Sequence, residues 1–264
     1  MLKEAYDFRD ESEALYSLIE PLGEADYDRV TLFRDWTVND VMQHLHFFNY
    51  VADLTLTDEE AFKRVYGELS ELRDKSGSLI DATDKMLDGL KGTALRDAWR
   101  AYYMEMSDRF YAADPKQRLL WVGPSMSARS SISARLMETW SHAQEIYDLL
   151  GVKRENRDLI KSIAVMGMNT FGWTFINRKE EVPEPVPHVR LTAPSGDIWE
   201  WNPENTADLV EGDASEFCQV VTQTRNIADT NLKVSGEIAT RWMSVAQCFA
   251  GPARNPPAAG TRHA

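Results

Sequence analysis

Residues 36–45 read WTVNDVMQHL, and the fold of the first half of the chain turns on this stretch. Thr37 is followed three positions later by Asp40. This is the spacing of a capping box, in which the hydroxyl accepts a backbone N–H and the acidic side chain reaches back to the cap. From there Val41, Met42, Leu45, Phe48 and Ala52 recur at helical spacing and define an inward face, with His44 on it. An imidazole on such a face needs a partner, because desolvating it without compensation is costly.

More helices are expected on both sides. Towards the N-terminus, Ala14, Leu15, Leu18 and Ile19 predict a helix over about 10–20, ended by Pro21 and Gly23. Towards the C-terminus, 58–75 is a charge-rich amphipathic helix, and 93–112 is another with Leu95, Trp99, Tyr102, Tyr103, Met106 and Phe110 on its buried side. A loop containing Trp121 lies between Pro115 and Pro124. A long helix then runs from about Ala128 to Leu150, stopped by Gly151, and one more covers about 157–178.

The run EEVPEPVPH cannot propagate a helix, since each proline lacks a donor and restricts the residue before it. Beyond it the period becomes alternating. HVRLTA, a PSGD turn and IWEWN predict a β-hairpin, ADLVEG a third strand, and NLKVSG a fourth. Asp213 caps a helix to about Thr224, and 237–249 closes the fold. The expected class is α+β: a helical bundle over 1–180, a Pro-rich linker at 181–187, a small α/β domain over 188–250 and a mobile tail at 251–264.

Composition narrows the function. With 264 residues, 43% hydrophobic and 27% charged, the chain can bury a core. Its formal charge of −13 disfavours a nucleic-acid backbone or an anionic membrane as partner. No apolar run approaches the length of a membrane span, and MLKEAYDFRDESEALY carries charges where a signal peptide needs an apolar core, so a cytoplasmic location is expected. Cys218 and Cys248 form no metal knuckle and are expected to be reduced and buried.

Glu138 and His142 are four apart on the long helix, so both project from one face and can reach a common ion. Added to His44, they make a two-histidine, one-carboxylate set that suits zinc first, with nickel, iron or cobalt as alternatives, and leaves coordination positions open. The same spacing also fits two buried histidines with hydrogen-bond partners and a solvated helix acid. His46, two residues from His44, points to another side of its helix and reads as structural. Glu145 shares the Glu138 face, either as a supporting acid or as a surface residue. His188 and His263 are not placed to help, and for Trp36 and Trp140 core packing is the simpler reading.

WTVNDVMQHL at 36–45 and ARLMETWSHAQEI at 134–146 resemble the two metal-ligand segments of the DinB-like proteins, in particular the mycothiol-dependent maleylpyruvate isomerase family. The region from VRLTAPSGDIWEWN to the closing helix is similar to the small α/β domain that follows that family's four-helix bundle. The resemblance implies that His44, Glu138 and His142 are the metal triad and that Arg225, in TQTRN, is a functional arginine; a capping or surface role at the end of its helix is the alternative. It implies a metal-dependent isomerase or S-transferase that uses a low-molecular-weight thiol such as mycothiol on a small carboxylate substrate, in a monomer or homodimer. A metal-water hydrolase or hydro-lyase, or a non-catalytic metal-binding protein, would carry the same triad.

Overall fold

A computed structural model describes residues 1–121, 123 and 125–262. The chain divides into two compact units, Met1–Leu149 and Leu150–Ala264.

The first unit is helical. α1 (Lys3–Ile19) starts earlier than the periodicity suggested, because Leu2, Ala5 and Phe8 already face inward ahead of Leu15 and Ile19. α2 (Val38–Thr57) opens at the expected capping box and α3 (Glu59–Ser76) is capped by Asp58. α4 (Leu79–Met86) was not foreseen; it is a short helix capped by Ser78 that buries little more than Ala82 and Thr83. α5 (Gly92–Ala112) buries Leu95, Trp99, Tyr103, Met106 and Phe110, and it packs against both α1 and α2. The loop expected around Trp121 includes a two-residue ladder, β1 (Arg118–Leu119) with β2 (Met126–Ser127). α6 (Ala128–Leu150) has the predicted bounds.

Ion pairs brace the helices. Asp53, buried on α2, accepts two guanidinium bonds from Arg109 of α5, at 3.0 and 2.7 Å, and one from the Tyr102 hydroxyl at 2.9 Å. A second core, Phe47, Val51, Leu54, Phe62 and Leu69, fastens α3 and α4 to the outer side of α2.

The second unit holds a four-stranded sheet in the order β4-β3-β5-β6: β3 (His188–Thr192), β4 (Ile198–Trp201), β5 (Leu209–Asp213) and β6 (Lys233–Ser235). β3 and β4 form the expected hairpin, β5 runs parallel to β3, and β6 is antiparallel to β5. Val189, Leu191 and Val210 are buried in alternating register.

The predicted helix over 157–178 is instead broken. A 3-10 turn at Asp158–Ile160 leads into α7 (Lys161–Asn169), and α8 (Phe171–Ile176) follows. At the break, Thr170 leaves helical geometry and its hydroxyl donates to the Met166 carbonyl at 2.8 Å. These helices group with the sheet, so the division falls ahead of the Pro-rich run at 181–187 taken as the boundary. Gly167 explains part of this: its missing side chain lets α7 come within van der Waals reach of Phe217 and Val221 on α9 (Ala214–Val221). α10 (Glu237–Val245) is preceded by Gly236, whose φ of 90° and closeness to the Ala207 carbonyl exclude a side chain.

The tail, expected to be mobile, is tied down through 251–262. Arg254 N–H donates to Gln247 at 2.8 Å, Asn226 donates to the Pro257 carbonyl at 2.8 Å, and Gly260 N–H donates to Asp229 at 2.8 Å. Among the described residues no helix is long and apolar enough to cross a membrane.

Candidate metal centre

The cap sets where His44 sits. Thr37 Oγ1 accepts from the Asp40 N–H at 3.1 Å while Thr37 N–H donates to Asp40 Oδ2 at 2.8 Å, which fixes the first turn of α2. Asn39 then links that turn to Asp28 at 3.1 Å and to the Gly92 N–H at 2.8 Å. On α6, Arg135 lies one turn before Glu138. Its Nε donates to Asn49 Oδ1 at 3.0 Å across to α2, locking the register in which Glu138 meets His44.

His44 Nε2 lies 3.2 Å from Glu138 Oε2, and His142 Nε2 lies 3.5 Å from the same oxygen. One donor atom from each of the three side chains falls within 4.8 Å of the others; among the described residues this is the cluster of His, Cys, Asp and Glu able to hold an ion. Donors about 2.1 Å from a tetrahedral zinc ion stand roughly 3.4 Å apart, so both carboxylate–imidazole separations already have the spacing an ion requires. The donor chemistry fits as well: two imidazoles and one carboxylate leave a fourth position for a ligand. All three side chains are largely buried, with Glu138 the most accessible at 24%.

Electrostatics favour the cation-binding protonation states. Burial pushes His44 down to about 4, against a smaller opposing hydrogen bond from Glu138, so its imidazole is neutral at pH 7. Burial would raise Glu138, but hydrogen bonds with His142 and His44 outweigh it and hold the carboxyl well below the usual range. Burial alone takes His46 down to about 4. The stability of the metal-free protein therefore depends on pH. The unfolded chain binds protons at these imidazoles near pH 6.5 and the folded chain only near 4, so unfolding takes up protons and stability falls as pH drops through that window. Each imidazole contributes up to about 3 kcal/mol, an upper bound for the partly exposed His46. Denaturant midpoints of metal-free protein at pH 7 and 4.5 should separate accordingly, and by less in His46→Gln; an equal separation in that variant would contradict the assignment.

The other residues singled out in the sequence fall as follows. His46 lies edge-on to Tyr102, 5.7 Å between ring centres. Glu145 is buried, which removes the surface reading. Trp140 is fully buried core, whereas Trp36 is half-buried and in ring contact with both His44 and His142. His188 pairs with Glu200 at 2.9 Å in the second unit. Arg225 is buried rather than at the surface, and its Nη1 donates to the Thr224 carbonyl at 2.9 Å just past the end of α9. His263 lies outside the described residues. The sequence does not mark Arg135 or Phe33, and it marks Phe48 only as part of the inward face of α2; Arg135 stands one helical turn from Glu138 and Phe48 one turn from His44.

A helical bundle that brings two imidazoles and a carboxylate together from two helices, with a small α/β unit later in the chain, is consistent with the DinB-like superfamily. The chain belongs to the mycothiol maleylpyruvate isomerase N-terminal domain family, whose pattern matches residues 8–147. It is also 35% identical over 246 residues to uncharacterized proteins of Mycobacterium tuberculosis strains CDC 1551 / Oshkosh and ATCC 25618 / H37Rv, covering 93% of this chain and 95% of theirs. The same fold is seen in the crystal structure of the mycothiol-dependent maleylpyruvate isomerase, with a TM-score of 0.54 at 12% identity over 83% of this chain and 87% of that one. A histidine-to-alanine mutant of that enzyme aligns with a TM-score of 0.52 over the same shares.

Proposed function

We propose that this chain is a metal-dependent enzyme, an isomerase or S-transferase, that uses a low-molecular-weight thiol on a small unsaturated carboxylate or acyl substrate. The observation that carries the reading is the convergence of His44, Glu138 and His142 at ligand spacing, within the region matched by the family pattern. A divalent ion, zinc by preference, would supply Lewis acidity that lowers the pKa of a thiol, whose thiolate can add reversibly to an activated double bond.

The chain's own groups set the conditions. Neutral His44 and ionised Glu138 neutralise one of the two charges of a divalent ion, leaving the site net positive and receptive to an anionic sulfur. Neither cysteine suits the role of nucleophile: both are buried, and burial holds the Cys218 thiol well above its ordinary range. This supports an external thiol. Arg225 is proposed to hold the substrate carboxylate by a two-pronged contact. On a chain of net charge −13 such local positive charge offsets the unfavourable field that an anionic substrate meets.

The test is cobalt substitution. Addition of mycothiol or another small thiol should produce sulfur-to-cobalt charge-transfer absorption, and His44→Ala should abolish it; a spectrum indifferent to thiol would remove the thiol from the reading. In Arg225→Ala, metal content should stay at the wild-type level while KM for a carboxylate substrate rises by about 10-fold or more, as expected for loss of a charge-assisted pair. Unchanged kinetics would return Arg225 to a structural role.

A further inference from the structure

Histidines that bind metals commonly donate the far ring N–H to a carboxylate or carbonyl, which sets the ring plane. His44 has no such support: its Nδ1 is buried and meets no hydrogen-bond partner among the described residues. Aromatic rings surround the imidazoles instead. Trp36 stacks on His142, 5.5 Å between centres and 11° between planes, and leans on His44 at 5.4 Å. Phe33 meets His142 edge-on at 5.1 Å, and Phe48, one turn along α2, tilts against His44 at 4.8 Å.

One tight turn delivers Phe33 and Trp36. Trp36 N–H donates to the Phe33 carbonyl at 2.8 Å, Thr31 N–H donates to the Trp36 carbonyl at 2.7 Å, and an antiparallel bridge between Val30 and Thr37 closes the base. Its two central residues, Arg34 with φ 52° and Asp35 with φ 58°, are both left-handed, where such turns favour Asn and Gly. Each costs on the order of 1 kcal/mol, and strain of this kind survives only where the surroundings over-determine it. Here the surroundings are the Phe33–Trp36 edge contact at 4.9 Å, the two imidazoles and the capping box that begins at the next residue, Thr37.

We infer that Trp36, with Phe33 beside it, is a positioning residue: an aromatic clamp that fixes the ring planes of His44 and His142, for His44 in place of a hydrogen bond at the far nitrogen, and so sets metal affinity. The inference rests on the metal-site reading above. An imidazole bound to a cation is electron-poor, and the face of an indole attracts it more than it attracts a free imidazole. The clamp therefore favours the metal-bound state as well as aligning it.

Four proteins separate the possibilities: wild type, Trp36→Leu, Trp36→Phe, and the turn variant Arg34→Asn/Asp35→Gly. Zinc affinity is measured by chelator competition, and the histidine ring resonances of the metal-free proteins by NMR. Trp36→Leu should weaken zinc binding about 10- to 100-fold, the range for loss of a ligand-orienting neighbour, and should shift and broaden the His142 ring resonances. Trp36→Phe, which keeps a stacking face, should stay within a few-fold of wild type. The turn variant, relieved of strain but retaining both rings, should bind zinc as wild type does and melt higher. If Trp36→Leu binds zinc as tightly as wild type, or if the Leu and Phe variants are impaired alike, the clamp is overturned while the metal site stands. A wild-type protein that takes up no zinc overturns both.

Discussion

Glu138→Ala is expected to abolish stoichiometric metal binding while leaving the bundle folded. The carboxylate is the hub of the site, since one oxygen, Oε2, lies 3.2 Å from His44 and 3.5 Å from His142, whereas the imidazoles approach each other less closely. Without it, two imidazoles remain and the only negative donor is gone. Loss of a residue that merely supports a ligand costs 10- to 100-fold in affinity, so loss of this one should exceed about 100-fold. Elemental analysis of purified wild type should give close to one metal per chain, and of the variant close to none. A full metal complement in Glu138→Ala would place the ion elsewhere. Folding is expected to survive because Glu138 is the most accessible of the three side chains, and the buried Arg135 guanidinium that its charge favours keeps its hydrogen bonds to Asn49 and the Leu45 carbonyl.

The largest expected loss of stability comes from the other face of α2. In Arg109→Ala, the buried Asp53 carboxylate keeps only the Tyr102 hydroxyl of the groups that bond it. Breaking one side of a buried pair costs about 3–5 kcal/mol, and the partial exposure of Arg109 argues for the lower end. For a unit of this size that lowers the melting temperature by about 6–12 °C. The pair itself need not be strongly stabilising: Asp53→Leu/Arg109→Leu should recover most of the loss, because no unpaired charge remains. A double variant no better than Arg109→Ala would show that the guanidinium acts through packing instead.

Local signals were legible where one residue type carried the geometry. Thr37 and Asp40 declared the start of α2, Gly151 the end of α6, and the convergence of His44, Glu138 and His142 was readable from the α2 face that carries His44 and the four-residue spacing on α6. What stayed hidden depends on distant partners. α4 has eight residues and two buried ones, too few for a periodic pattern to show. The break at Thr170 lies within an apolar stretch that reads as continuous, and assigning α7 to the second unit depends on Gly167 meeting Phe217 and Val221, far away in sequence. The parallel placement of β5 beside β3 is a choice of topology that alternation does not encode. The turn at Arg34 and Asp35 broke the usual rule, since neither residue announces a left-handed conformation. The aromatic surroundings of the ligands went unrecognised for that reason, even though Trp36 opens the very segment that identified the helix.

X-ray absorption at the zinc edge of the loaded protein tests most directly whether side chains from α2 and α6 share one ion. The expected spectrum has a shell of nitrogen and oxygen at about 2.0–2.1 Å with the outer-shell scattering of two imidazoles, falling to one in His44→Ala and to one in His142→Ala. A spectrum without imidazole scattering, or one that neither substitution alters, would contradict the account.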